Sequence, residues 1–330
     1  MNNYKLYIVV LQNIKSLYTY DNSFNYFIRF IKWQLNLYSK LSIKTIKNTN
    51  NFIASIFVKP KIKQFHKYTL NNINYFYHNT TSNNKTIILF FHGGGYAFLS
   101  SYYYFNFLDN IYTKLNNKED INIITIDYLK TPEYTYPTQI NSSYSIYQEL
   151  FKKHPKSKFI FMGDSAGSNL IIELVNKIII NNDLPIPVSL PVPICMIALS
   201  PWIINKDINP IENNPIENNL DILNHTIINK FKNIYINDDP TFRSTITINF
   251  TKFPPILIRY GENELFKKDI ELFIETFLRQ NSNINSQEIE NMPHSFDILY
   301  YYYSNYIGNN EINTKDNLII EYINDHISTI

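Results

Sequence analysis

The chain has seven glycines in 330 residues, and five of them fall in two short strings, His92-Gly93-Gly94-Gly95 and Gly163-Asp164-Ser165-Ala166-Gly167. In a sequence this poor in glycine, such clustering marks two places where backbone conformation or close approach excludes a side chain. The second string follows the apolar run Phe159-Ile160-Phe161-Met162 and precedes the helical pattern Leu170 to Val175. A strand, a sharp turn and a helix therefore meet at Ser165.

Composition bounds the rest. With 45% hydrophobic and 18% charged residues, the chain can bury a large core as one large α/β domain or two small ones. A formal charge of +2 argues neither for nor against a charged partner, and no basic stripe marks nucleic-acid binding. The one cysteine, Cys195, excludes an internal disulfide framework, and its apolar neighbours make it a buried strand residue. The N-terminal run Leu6 to Leu11 is shorter than a signal-peptide core and far short of the roughly 20 apolar residues that span a bilayer. The expected setting is cytoplasmic, with the endoplasmic reticulum membrane surface as the alternative. Membrane-surface association stays open, and nothing in the sequence assigns an oligomeric state. The asparagine-rich stretch Asn48 to Asn51 reads as a solvated loop.

Residues 1–62 read as amphipathic helix, with Phe27, Ile28, Phe30, Ile31, Trp33, Leu35 and Leu37 set among Arg29, Lys32 and Lys40. From His66 to His78 the pattern alternates around Asn71-Asn72, a hairpin signature. Apolar runs then follow at Thr86–Phe91, Ile121–Ile126, Lys158–Met162, Ile194–Leu199 and Pro255–Arg259, short and apolar throughout as strands buried on both faces should be. Helical patterns are expected at about 102–116, 139–153, 168–181, 265–279 and 316–328. This alternation predicts a mostly parallel sheet with helices on both faces. Residues 202–250 read as a poorly patterned insertion whose duplication, Asn209 to Asn219, is a local loop expansion.

Five blocks in order resemble the hormone-sensitive-lipase-like branch of the α/β-hydrolase superfamily, which includes arylacetamide deacetylases and fungal steryl acetyl hydrolases. They are His92-Gly93-Gly94-Gly95-Tyr96; Asp127-Tyr128 with Pro132-Glu133; Gly163 to Gly167; Pro254 to Ile258 running into Gly261-Glu262-Asn263-Glu264-Leu265; and Met292-Pro293-His294-Ser295-Phe296. The resemblance covers roughly residues 86–300. It implies an α/β-hydrolase fold, a core in two parts (63–201 and 251–330), and a helical cap drawn from residues 1–62 and 202–250.

The chemistry of the blocks follows. Ser165 sits where a strand-to-helix turn lifts its hydroxyl out of the sheet, which makes it the nucleophile candidate. A free hydroxyl needs a base, and His294 lies 129 residues on, in a loop after the final strand, with an ordinary pKa suited to proton transfer both ways. The resemblance places the triad acid at Glu264, with Glu262 and Asp269 as competitors. It also implies an oxyanion hole from the backbone N–H groups of Gly94, Gly95 and Ala166. His92 and Gly93 support that loop, and Asp127 and Glu133 position it, although Leu129-Lys130 departs from the Arg-Leu usual in the family. No metal and no cofactor are expected.

The function implied is serine carboxylic-ester hydrolysis on small apolar esters of short acyl chain, a lipid or sterol acetate among them. The competing reading is a catalytically silent relative that binds a small hydrophobic ligand. The presence of Ser165, Glu264 and His294 together favours the enzyme. A peptidase would need an access-limiting domain or peptide anchors, and the sequence offers neither.

Overall fold

The computed structural model describes residues 23–49, 64–79, 84–184, 189–205, 221–307 and 317–328. The expected duplication at Asn209 to Asn219 and the whole stretch 50–62 lie outside the described residues, as do residues 1–22. In chain order the elements are α1 (Ser23–Ser39), β1 (His66–Leu70), β2 (Ile73–Tyr77), β3 (Thr86–Phe91), α2 (Phe105–Lys114), β4 (Ile121–Asp127), α3 (Thr138–Lys153), β5 (Lys158–Asp164), α4 (Ala166–Asn182) and β6 (Cys195–Leu199). They continue with α5 (His225–Ile236), β7 (Ile256–Gly261), α6 (Lys267–Leu278), β8 (Ile284–Ile289), α7 (Phe296–Ile307) and α8 (Asn317–Ser328).

One eight-stranded sheet runs β1-β2-β4-β3-β5-β6-β7-β8. The pairs β1–β2 and β2–β4 are antiparallel and all the others parallel. The β1–β2 turn uses Asn71 and Asn72 at φ 49° and 64°, the left-handed pair that matches the twist of a two-residue hairpin. Every residue of β3, β6 and β7 is buried, because helices cover both faces. Along β3 the side chains alternate between two cores. Ile87, Leu89 and Phe91 join the layer that includes Tyr147, Leu170, Val175 and Phe273, whereas Ile88 and Phe90 join Phe107, Leu108, Ile111, Ile319 and Ile323. Thus α3, α4 and α6 cover one face, and α2 and α8 the other.

Several elements differ from the sequence reading. The N-terminal helix breaks at residues 40–42 and resumes over 43–49, so Asn48 lies in helix, while Asn50 and Asn51 of the expected loop lie outside the described residues. The supposedly unpatterned insertion holds α5, capped by the Asn224 side chain, which accepts from Ile227 N–H at 2.9 Å. β8 and α7 are additional elements. β8 is an edge strand with an alternating, largely polar sequence, and α7 is a tyrosine-rich run with a weak polar face. Neither presents the continuous apolar signal that identified the central strands.

Arg259 lies inside β7 and is 1% exposed. Its guanidinium donates to Asp297 at the start of α7, 2.9 Å from Nη2 to Oδ1, and to Gln287 of β8. The pair ties the strand that precedes Glu264 to the helix that follows His294. Asp297→Ala strands a buried cation, and we expect a loss of about 3–5 kcal/mol, seen as a lower urea midpoint.

Candidate active site

The carboxyl ends of the parallel strands bring the predicted site residues to one edge of the sheet, where open α/β sheets place their ligands. From the end of β3 comes His92-Gly93-Gly94-Gly95; β5 delivers Ser165, β6 Ser200, β7 Glu264, and the turn after β8 His294. Ser165 has φ 54° and ψ −115°, a conformation an L-residue adopts only where its surroundings enforce it. The enforcement is the crossing of α4 over the ends of β3 and β5. A Cβ on Gly167 would lie 2.0 Å from the Phe91 carbonyl oxygen, and one on Gly163 would lie 2.5 Å from the Gly167 backbone.

Three buried side chains form a hydrogen-bonded row. His294 Nε2 lies 2.8 Å from Ser165 Oγ, and Nδ1 lies 3.0 Å from Glu264 Oε2. Glu264 Oε1 accepts from the Ser200 hydroxyl and from Gly261 N–H, both at 2.6 Å. The two competing acids lie elsewhere. Glu262 accepts from the Asn291 N–H at 2.9 Å, and Asp269 stands on α6, where Lys232 opposes the burial that raises its pKa to about 6. Burial raises the Glu264 carboxyl above its ordinary range, against its two Oε1 donors. Burial lowers the His294 imidazole, and the nearby carboxylates of Asp221 and Asp164 offset part of that shift.

Gly94 and Gly95 take φ of 107° and 59° and line the same cavity as Ser165 and His294. Among the described residues, the N–H groups of Gly94, Gly95 and Ala166 make no backbone hydrogen bond outside regular elements. The Gly93 N–H instead donates to the Tyr104 hydroxyl at 3.0 Å, so it faces away from that cluster. Both ring nitrogens of His92 are engaged, one 2.7 Å from the Gly93 carbonyl and the other 3.2 Å from Asp127 Oδ1, and its ring stacks on Tyr128 at 4.2 Å. Lys130, in the dipeptide that departs from the family pattern, reaches Asp127 and the Leu99 carbonyl and ties down the same loop. Glu133 pairs with Lys47, just past the end of α1.

Sequence reasoning missed three supporting groups. Ser200 joins Glu264 to the histidine loop, since its hydroxyl also accepts from Ser295 N–H at 2.8 Å. Asp221 is fully buried and accepts from the backbone N–H of His294 and of Leu265, both at 2.9 Å. Tyr104 donates to Asp164 at 2.8 Å, directly before the candidate nucleophile. Asp221 had no sequence signal beyond following the asparagine-rich duplication Asn209 to Asn219. Ser200-Pro201-Trp202, at the end of a strand, was the signal available for Ser200.

The row opens into a cavity of about 570 Å³, within the size range of small-molecule sites. Its walls are almost wholly apolar: Phe27, Ile31, Leu35 and Tyr38 of α1, and Ile227 and Phe231 of α5. Tyr302 and Tyr303 of α7 and Trp202 also contribute. Among the described residues, no group of three or more His, Cys, Asp or Glu is arranged to hold a metal ion. Among the same residues, no helix is long and apolar enough to cross a membrane.

Compared with known proteins, residues 88–298 match the family described as alpha/beta hydrolase fold. The chain belongs to that family. Among curated relatives, "Putative steryl acetyl hydrolase mug81" of Schizosaccharomyces pombe is 27% identical over 182 residues, 49% of this chain and 46% of that protein. An esterase of Acinetobacter venetianus is 24% identical over 170 residues, 50% of this chain and 54% of its own length. The match therefore spans about half the length of each relative. Among solved structures, an esterase of the bacterial hormone-sensitive lipase family superposes with a TM-score of 0.74 at 17% identity, covering 94% of this chain and all of the other. A hormone-sensitive lipase from a metagenome library gives 0.70 at 20% identity, over 91% of this chain and 98% of its own.

In this α/β-hydrolase chain, the helix that follows Ser165 also carries a half-buried acid. Glu173 on α4 accepts from the Thr245 hydroxyl at 3.2 Å, and burial raises its pKa to about 7. A carboxyl whose folded pKa lies above its ordinary 4.5 binds its proton better in the native state, so stability falls as pH rises through that window. The lowered imidazoles of His78, His92 and His294 act in the opposite sense, removing stability as pH falls below 6.5. Above that point the raised carboxyls, Glu173 and Glu264, dominate. The urea midpoint is expected to decline from about pH 6.5 towards 8, with a shallower decline in Glu173→Gln.

Proposed function

We propose that the protein is a serine carboxylic-ester hydrolase acting on small apolar esters, with Ser165 as nucleophile, His294 as general base and Glu264 as the acid that orients it. The observation that carries this reading is the hydrogen-bonded row Ser165–His294–Glu264 at the floor of an apolar cavity. His294 Nε2 takes the Ser165 hydroxyl proton as Oγ attacks the ester carbonyl carbon. The developing oxyanion is met by the N–H groups of Gly94, Gly95 and Ala166. The tetrahedral species then expels the alcohol, which leaves with the proton from His294, and an acyl-Ser165 ester remains. Water, deprotonated by the same imidazole, attacks the acyl carbonyl and releases the acid. Glu264 keeps the Nδ1–H tautomer in place and balances the imidazolium that forms at each step.

The substrate reading rests on the walls. Residues 1–62 and 202–250 act as cap segments, a reading supported by α1 and α5 supplying one side of the cavity. The Asn36–Asn224 bond and the bond from Lys230 to the Ser39 carbonyl join the two helices directly. Such walls favour an apolar alcohol moiety over a charged one, because burying an unpaired charge there costs far more than any contact returns. A short acyl chain on a lipid or sterol alcohol fits this lining. The name of the fission-yeast relative points to the same class.

Hydrolysis of p-nitrophenyl esters provides the test. Ser165→Ala and His294→Ala should each lower kcat by about 10⁴-fold or more, and the double variant should be little worse, since triad members act as a unit. Glu264→Gln should cost orders of magnitude, and Glu262→Gln almost nothing. Turnover above a tenth of wild type in Ser165→Ala would remove the nucleophile assignment. No turnover of any ester, with a hydrophobic ligand still bound, would establish a silent binding protein instead. A sterol acetate and p-nitrophenyl acetate, tested beside longer acyl esters, should give the highest kcat/KM on the short acyl chains.

A further inference from the structure

The helix that walls the cavity has a second face. Tyr26, Trp33 and Leu37 are 47%, 55% and 44% exposed, and they stand seven and four residues apart, so they lie in one row along α1. Phe30, which also lines the cavity, lies at the edge of the row, its ring 6.0 Å from that of Trp33. Arg29 and Lys40 are exposed alongside, with Lys44 just beyond the break in the helix, and the Arg29 guanidinium lies 5.8 Å from the Tyr26 ring. Residues 23–49 carry five Lys and Arg and no carboxylate. The asymmetry extends along the chain. Residues 1–108 hold 12 Lys and Arg against one acid, Asp21, whereas the remainder holds 18 against 27. A net charge of +2 conceals this division.

We propose that the outward row of α1 is a docking surface for an anionic lipid bilayer. Two features on the same face select that partner. Lys47 is paired with Glu133 and Lys32 is half-buried, which leaves Arg29, Lys40 and Lys44 as the exposed cations beside the row; they are attracted to a negative surface, and each Lys or Arg held near it adds to binding. A Tyr-Trp-Leu row inserts at the boundary between headgroups and acyl chains, where the amphipathic rings of Trp and Tyr are at home. A nucleic acid or an acidic protein would use the cations and leave the Leu37 end of the row idle. Because Phe27, Ile31, Leu35 and Tyr38 on the opposite face line the cavity, a docked molecule holds that wall against the membrane. An apolar ester dissolved in lipid is then separated from the cavity by the thickness of that helix. The docking itself does not depend on the ester-hydrolase reading.

Sedimentation of the full chain with vesicles tests this without substrate, so failure of the hydrolase assignment and failure of docking are told apart. Phosphatidylcholine mixed with phosphatidylserine is compared with phosphatidylcholine alone. The expected result is binding to the mixed vesicles that weakens with salt and falls at least about tenfold both in Trp33→Ser/Leu37→Ser and in Lys40→Glu/Lys44→Glu. Unchanged urea midpoints serve as the folding control for both variants. No binding to mixed vesicles overturns the proposal. So does binding that neither pair of substitutions weakens, which would assign it to other parts of the chain. Binding weakened only by the lysine changes overturns it as well, and tighter binding to single-stranded DNA than to the vesicles would indicate a polyanion site in place of a lipid one.

Discussion

The candidate site depends on one close approach, the passage of the α4 N-terminus over the end of β3. With the Gly167 position almost in contact with the Phe91 carbonyl, no side chain fits there, and the chain entering α4 has a single route. That route fixes Ser165 in a strained backbone conformation and turns its hydroxyl towards the histidine loop. The strain is tolerated because the surrounding hydrogen bonds over-determine the turn: Ser165 N–H donates to Leu199 O at 2.9 Å, and Trp202 N–H to Ser165 O at 3.1 Å. Strand β6 thus holds the turn from the side that α4 does not cover.

A second constraint is electrostatic. Asp164, Asp221 and Glu264 are all buried near one imidazole, and each is kept there by donors of its own. Like charges this close repel, so burial first, and then Glu264 beside Asp164 and Asp221 and Asp297 beside Glu264, raise the carboxyls, and hydrogen bonds compensate in part. The arrangement concentrates negative potential around His294, which offsets some of the cost of charging a ring that burial would otherwise keep neutral.

How much could be read in advance follows from where the physical signals are local. The central strands were legible because burial on both faces leaves no polar residue in Ile87 to Phe91 or Met196 to Leu199. The hairpin was legible because Asn71-Asn72 carries its own turn chemistry. Ser165, Glu264 and His294, proposed from motif order, stand within hydrogen-bonding distance in the structure. Edge strand β8 was not legible, because an alternating Ile-Asn-Ser-Gln-Glu-Ile sequence competes with a loop reading. Asp221 was hidden for a similar reason. Its importance arises from backbone N–H groups of Leu265 and His294, 44 and 73 residues away, and no pattern along the chain records such a debt.

That same aspartate joins two properties usually treated as separable. Its carboxylate accepts from the N–H of His294 and of Leu265, the neighbour of Glu264, while the residues that follow it, Ile222 and Leu223, line the cavity. A change in the length or path of the segment before α5 therefore displaces the histidine loop as it reshapes the pocket. On the proposed hydrolase reading, selectivity and rate are inherited together in this chain. A wall transplanted from a relative would bring its own anchor, and the graft would work only where that anchor meets the same two backbone groups.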